Sequence, residues 1–349
     1  MAHPCKNGSI EQGLAQETQS VYGKEIMAIN AYLQINEICN QKCLFCNRPP
    51  NIMEANPFSL EGLKRRVDDI CSDPDVTRII FTGGEPTLHP YLKEIIEYAA
   101  KKVEKIEIQT NGTILDRRKM EDLKSAGLSI INYAFHSHNK ETSYTLRGVR
   151  FGYEKIENGL LDAIASGLEV HVIFVINKIN FRELPEFIDY LKSIGVGGPG
   201  FCLNLSIVVP EGWAWENKEI VVPRMADIKP YLIKACLKCV EHDINFDISE
   251  FVPLCIVPGF EDRAVSTASL VTRTRILDES FKDDSGKMLD FSNIDPDRSL
   301  KAPQCQECSL SSICSGFYSR LGDLYGVDDY EPSTLDPNEI MSRYNELEQ

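Results

Sequence analysis

Cys39-Asn40-Gln41-Lys42-Cys43-Leu44-Phe45-Cys46 places three thiols within eight residues, three and then two residues apart. The nine residues Ala28 to Asn36 before it alternate apolar and polar side chains, as a strand does. Ser59 after it is the expected N-cap of a helix running to about Cys71, with Leu60, Leu63, Val67 and Ile70 on one face. The thiols therefore occupy the loop at a strand's C-terminal end. Tetrahedral zinc sites want four ligands, commonly as two pairs. Three thiolates in one tight loop suit a [4Fe–4S] cluster with one iron left open, where a substrate or cofactor chelates. The alternative is a zinc knuckle with His136 or His138 as fourth ligand.

Working outward, the strand–helix unit recurs. Strands are expected at 77–82, 105–110, 128–135, 168–176 and 200–209, and helices near 90–101, 116–125, 151–166, 181–193 and 224–242. Six such units in strict alternation imply an α/β protein with a parallel sheet and right-handed crossovers, either doubly wound or an incomplete barrel. In both, reactive loops gather at the C-terminal strand ends. The cysteine loop and the Gly83-Gly84 turn then share a face. Residues 1–26 read as a polar leader. After about residue 250 the rhythm breaks around Pro253, Pro258, Pro296 and Pro303, with a hairpin expected across 269–291. So polar a tail needs a staple, such as a metal site, to hold together.

Composition narrows the function classes. The 349 residues are 43% hydrophobic and 26% charged, with a net charge of −15. Such acidity opposes phosphate backbones and disfavours a nucleic-acid substrate. No apolar run approaches the ~20 residues of a membrane span, and no secretory signal is apparent. A cytoplasmic protein is expected. The basic clusters Lys101-Lys102 and Arg117-Arg118-Lys119 read as solvated helix ends.

Twelve cysteines in a reducing compartment point to metal or redox chemistry rather than to disulfides. Cys305-x2-Cys308-x5-Cys314 forms a second group, with Cys255 upstream as a candidate fourth ligand; structural zinc on the same four thiols is the alternative. Cys236 and Cys239 fall three apart on a helix and read as buried apolar thiols, as does Cys71, while Cys5 lies in the leader. Cys202, on the sixth strand, faces either the core or the lumen. In the lumen it would be a catalytic hydrogen-atom donor.

The motif Cys39-x3-Cys43-x-Phe45-Cys46 after a first strand resembles the signature of the radical S-adenosylmethionine (radical SAM) superfamily, as does Gly83-Gly84-Glu85-Pro86 at the end of the second strand. Gln109-Thr110-Asn111-Gly112 resembles the family's third-strand motif. The resemblance spans roughly residues 27–245 and implies a partial (β/α)6 TIM-like barrel. It implies a [4Fe–4S] cluster on Cys39, Cys43 and Cys46. It also implies S-adenosylmethionine held by Phe45, Gly83, Gly84, Glu85, Pro86, Gln109, Asn111, Ser137 and Arg147. Reductive cleavage of that molecule to a 5′-deoxyadenosyl radical, which abstracts hydrogen from a substrate C–H bond, is the implied reaction. An external electron donor of the flavodoxin or ferredoxin type is implied with it.

The tail, with Tyr318 where another cysteine would stand, resembles the shortened Twitch form of the SPASM auxiliary-cluster domains, and so implies a second, auxiliary [4Fe–4S] cluster on Cys255, Cys305, Cys308 and Cys314. The expected organisation is a leader (1–26), radical SAM core (27–245), Twitch-like domain (246–330) and C-terminal tail (331–349). A peptide-modifying oxidoreductase or maturase is expected, and a dehydrogenase or epimerase acting on a small polar metabolite, a sugar or cofactor precursor, is the alternative. A non-enzymatic iron–sulfur or zinc scaffold is the contrasting class; it has no use for a missing fourth ligand.

Overall fold

The computed structural model describes residues 28–48, 58–249, 251–264, 274–282, 288–290 and 299–347. The leader 1–26 and Cys5 lie outside the described residues.

Seven parallel strands form one sheet in sequence order: β1 (Ala28–Asn36), β2 (Val76–Gly83), β3 (Lys105–Thr110), β4 (Ile130–Ala134), β5 (Glu169–Ile176), β6 (Phe201–Ile207) and β7 (Phe246–Ile248). Six of these were expected and the seventh, a three-residue strand, was not. The order never reverses. Right-handed crossovers that always step the same way put every helix on one side of the sheet, so the fold is an open barrel and not a doubly wound sheet. A hairpin of β8 (Thr274–Lys282) and β9 (Met288–Asp290) then returns to the outer edge of β1, with β8 parallel to it. The sheet thus continues beyond residue 245, where a domain boundary was expected.

Local chemistry explains the elements between. Helix α1 (Leu60–Ile70) starts at Ser59, whose side chain accepts from Gly62 N, and buries Leu63, Val67 and Ile70. Each buried aliphatic side chain stabilises by about 1.5–3 kcal/mol. Helices α2 (Leu92–Ala99), α3 (Arg117–Ser125, capped by Asp116), α4 (Lys140–Arg147), α5 (Tyr153–Ala165) and α6 (Leu184–Ser193) follow. Two short helices, α7 (Gly212–Glu216) and α8 (Lys218–Val221), precede the long α9 (Met225–Glu241), which buries Cys236 and Cys239.

The two faces of the sheet differ. Leu33, Phe81, Ile108 and Ile131 stand in register and are fully buried against the helices. On the opposite face, the lumen, Gln34, Thr82, Gln109, Asn132, His171 and Cys202 form one polar row across β1–β6.

In the tail, β10 (Ser299–Leu300) pairs with β11 (Phe317–Tyr318), followed by α10 (Ser319–Tyr325) and α11 (Pro337–Leu347). Leu254, Ala264, Leu310, Ile313 and Ile340 form a small core separate from that of the barrel. Helix α11 supplies Ile340, so residues 337–347 belong to the tail's own packing. Among the described residues, no helix is long and apolar enough to cross a membrane.

Candidate active site

The cysteine loop leaves the C-terminal end of β1 and is braced from four directions. From β2, Gly84 N donates to Asn36 O at 3.0 Å and Glu85 N to Ile38 O at 2.7 Å. A Cβ on Gly83 or Gly84 would collide with the carbonyls of Asn36 and Ile38. The glycines are needed first for this close approach of backbone to backbone.

The second brace is Glu85, 1% exposed. Its Oε1 accepts from Thr87 N (3.0 Å), Thr87 Oγ1 (2.5 Å) and Thr110 Oγ1 (2.7 Å), and its Oε2 from Asn111 N (2.7 Å). Burial raises its pKa against these four donors, which act to lower it. Asn111 Nδ2 donates to Asn40 Oδ1 at 2.8 Å and lies 3.9 Å from Cys39 Sγ. Glu85 therefore ties the ends of β2 and β3 to the first thiol.

The third brace is the end of α4. Lys42 N donates to Arg147 O and Leu44 N to Leu146 O, both at 2.9 Å. Arg147, 3% exposed, donates from Nε to Ser143 and from Nη1 to Phe151 O. Its Nη2 is buried with no partner among the described residues. The fourth brace is α7, where Ala214 N donates to Cys46 O at 2.8 Å and Trp213 N to Arg48 O at 2.9 Å.

Burial dominates the electrostatics. It pushes the Cys39 thiol up to about 11 and raises Cys46 and Cys43, the latter partly opposed by Arg147. Three neutral thiols, a buried free donor (Arg147 Nη2) and a buried free acceptor (Asn36 Oδ1) surround the loop. That donor set fits thiolate coordination to a cationic iron core, with a zwitterion beside it. Among the described residues, no three His, Cys, Asp or Glu side chains converge as the ligands of one ion would. Ligands of a four-iron cluster each take a separate iron and stand wider apart.

Phe45 meets the His136 ring edge-on at 4.8 Å. His136 Nδ1 accepts from Val175 N at 3.1 Å, which leaves the hydrogen on Nε2. Burial, with Arg147 adding to it, lowers the His136 pKa to about 3. A neutral donor thus stands at the lumen rim, one residue beyond Phe135.

Other expected residues are engaged in the scaffold. Ser137 Oγ donates to Glu183 Oε2 at 2.5 Å and accepts from Asn139 N at 3.0 Å, so it fixes the start of α4. Gln109 Oε1 accepts from Thr82 at 2.9 Å, and Pro86 opens a buried turn. Cys202 does face the lumen, where its thiol donates to Asp247 Oδ2 at 3.8 Å, and burial holds it protonated. However, it is the second residue of β6, while the cysteine loop lies at the opposite strand ends. At ~3.3 Å per residue it sits roughly 17 Å below the end of its own strand, in the lumen row that also holds Gln34 and Gln109 near the ends of β1 and β3.

The four tail cysteines come together. Cys255, Cys305, Cys308 and Cys314 line one recess, walled by Leu254, Leu310, Phe317 and Tyr330. Backbone N–H groups already point at two of the sulfurs: Leu254 and Gly316 at Cys314 (3.5 and 3.4 Å), and Ser333 at Cys308 (3.3 Å). Burial pushes Cys255 up to about 12, with Cys314 adding to it.

Residues 33–191 match the family model of the radical SAM superfamily. Fe-coproporphyrin III synthase of Methanosarcina barkeri is 32% identical over 183 residues, 52% of this chain and 45% of that protein. A probable GTP 3′,8-cyclase of Thermoplasma volcanium is 32% identical over 176 residues, 48% of this chain and 51% of that protein. The chain spans about half the length of the curated relatives it matches. SuiB of Streptococcus suis, solved with precursor peptide SuiA, superposes with a TM-score of 0.61 at 13% identity, over 94% of this chain and 81% of that one. Native anSMEcpe, solved with AdoMet and the Cp18Cys peptide bound, gives a TM-score of 0.60 at 14% identity, over 92% of this chain and 98% of that one. At such identities the likeness speaks to the fold, which these proteins share with this chain through the tail. Residues 33–191 of this chain, just under half of it, therefore match the radical SAM superfamily.

Proposed function

We propose that this chain is a cytoplasmic radical SAM oxidoreductase that modifies a peptide, with an auxiliary cluster in its tail. The observation that carries the reading is the cysteine loop itself: three half-buried thiols beside an orphan donor, Arg147 Nη2, and an orphan acceptor, Asn36 Oδ1. When bound, a [4Fe–4S] cluster and S-adenosylmethionine supply reductive cleavage to a 5′-deoxyadenosyl radical, which takes a hydrogen atom from a C–H bond. Cys39, Cys43 and Cys46 hold the cluster. Arg147 Nη2 meets a carboxylate, and Asn36 Oδ1, beside Gly83 and Gly84, an ammonium. Phe45 and His136 close the site toward the lumen and exclude water from it. The polar lumen row receives a polar substrate. The tail recess is lined by four thiols, Cys255, Cys305, Cys308 and Cys314, which would hold a second cluster able to act as an electron acceptor when bound. The reductant is an external carrier of the flavodoxin or ferredoxin type.

A peptide substrate is supported by the likeness, through the tail, to structures solved with peptides bound. The second reading, a small polar metabolite, draws on the names of the sequence relatives, a porphyrin synthase and a nucleotide cyclase.

Anaerobic reconstitution tests the two-cluster reading. About eight irons per chain are expected, with release of 5′-deoxyadenosine under reductant. Cys43→Ala is expected to abolish that release and Cys308→Ala to spare it. The reverse pattern, or four irons with one zinc, overturns the assignment of the clusters. A two-hydrogen mass loss in a candidate peptide supports the substrate class; the same loss in a small metabolite instead selects the second reading.

A further inference from the structure

Gln41 stands midway between Cys39 and Cys43 and is 2% exposed. Its side-chain Oε1 accepts from the Cys43 thiol at 3.4 Å. Its Nε2 is buried with no hydrogen-bond partner among the described residues. A buried N–H left unpaired is costly, and such groups are rare enough to need a reason.

The orientation suits a thiol and nothing else. A sulfur bound to iron has no hydrogen to give, so Oε1 would face a negatively charged sulfur with nothing between them. The terminal amide torsion is broad and roughly two-fold, and a half-turn exchanges its oxygen and nitrogen. Nε2 then reaches the Cys43 sulfur, and Oε1 moves to where Nε2 has no partner, so no other hydrogen bond is broken. An unpaired carbonyl oxygen is also tolerated better than an unpaired N–H.

We propose that Gln41 is a positioning residue of the first cluster, donating, after the amide turns, from its side chain to the Cys43 sulfur. The inference rests on reading these cysteines as cluster ligands. N–H···S bonds favour the reduced cluster, whose sulfurs carry more negative charge, and so raise its reduction potential.

The test uses the full chain reconstituted anaerobically, with the first cluster identified as the one whose spectrum S-adenosylmethionine perturbs. Gln41→Met keeps the length and burial of the side chain but has no N–H. It is expected to load the same iron and sulfide as the wild type, to show a lower midpoint potential, and to lose one exchangeable-proton coupling in electron–nuclear double resonance of the reduced cluster. An unchanged potential and unchanged couplings overturn the proposal. Wild-type protein labelled with 15N at the glutamine side chains provides an arm that needs no variant. A 15N coupling that Gln41→Met removes is expected, and no glutamine coupling in the wild type overturns the proposal. Wild-type protein that takes up no iron sinks the cluster reading instead.

Discussion

Asn111 and Glu85 hold each other across two strand ends: Asn111 N donates to Glu85 Oε2 at 2.7 Å, and the Asn111 side chain runs on to Asn40 at 2.8 Å. A carboxylate that looks from its position as though it should face a cofactor is instead the latch between β2, β3 and the cysteine loop. All four of its partners are donors. Glu85→Gln keeps the volume but turns an amide N–H toward one of them. The variant is expected to lose about 1–3 kcal/mol of stability in urea unfolding. Its affinity for S-adenosylmethionine is expected to fall as well, because Asn111 and Asn40 lose their anchor. Unchanged stability would mean that Glu85 is no latch.

Arg147 places a buried guanidinium beside Cys43, and each favours the other's charged form. Arg147→Met removes the charge and the free Nη2 together. Affinity for S-adenosylmethionine is expected to fall roughly tenfold or more, in line with ~1.5–3 kcal/mol for a charge-assisted hydrogen bond. Arg147→Lys is expected to recover little, since a point charge cannot serve Ser143, Phe151 and a ligand at once. Equilibrium binding to reconstituted protein checks both variants; full recovery with lysine would show that charge alone matters.

His136 carries a pH dependence with a definite sign. Its pKa falls from an ordinary 6.5 to about 3 on folding. The unfolded chain therefore takes up the proton first, and the stability contributed by the neutral ring, complete above pH 6.5, is lost as pH falls toward 3. His136→Asn retains an acceptor for Val175 N and does not titrate. Between pH 6.5 and 5 the wild type is expected to lose about 1 kcal/mol more than the variant, a value reduced because the ring is partly exposed. Parallel denaturant titrations at the two pH values measure the difference, and equal slopes would place His136 in water.

The rhythm of strand, loop and helix was legible because each unit carries its own signals: period-two alternation in β1 and β5, and caps at Ser59 and Asp116. Where the reactive loops gather followed from parallel strands alone. Barrel or doubly wound sheet was not legible, because the side taken by each crossover depends on strand order, a property of the whole chain. Helix α4 was missed although Asn139 and Gly148 flank it; eight residues with little apolar pattern looked like loop, and with them went the burial of Arg147. Nothing local in residues 274–290 says that they return to β1. The tail cysteines were legible as a set, Cys255 included, since few other uses exist for clustered thiols in so polar a segment. The roles of Glu85, Ser137 and Gln41 are set by partners distant in sequence or by the orientation of a single amide, and no spacing encodes them.

The tail should depend on its metal for its order. Apart from Ala302, Phe317, Tyr318, Leu321 and Tyr330, which pack into the barrel's core, its own core is five residues, Leu254, Ala264, Leu310, Ile313 and Ile340, and Cys305, Cys308 and Cys314 lie in or beside short 3-10 turns. Such segments gain little from helix or sheet bonding, so ligation would supply much of their folding free energy. Cys308→Ala also removes the sulfur that accepts from Ser333 N. In that variant, or after chelation, amide hydrogen exchange over 303–314 is expected to rise by at least tenfold, while β1–β6 keep their protection, because Leu310 and Ile313 of that segment belong to the small separate core, whereas Ala302, Phe317 and Tyr318 on either side pack into the barrel. Helix α11 should loosen with the tail, since Ile340 packs there and Arg343 pairs with Glu261 at 3.0 Å. Exchange that rises equally in β2 and β3 would mean that tail and barrel unfold as one unit; no rise at all would mean that the 3-10 turns stand without the metal.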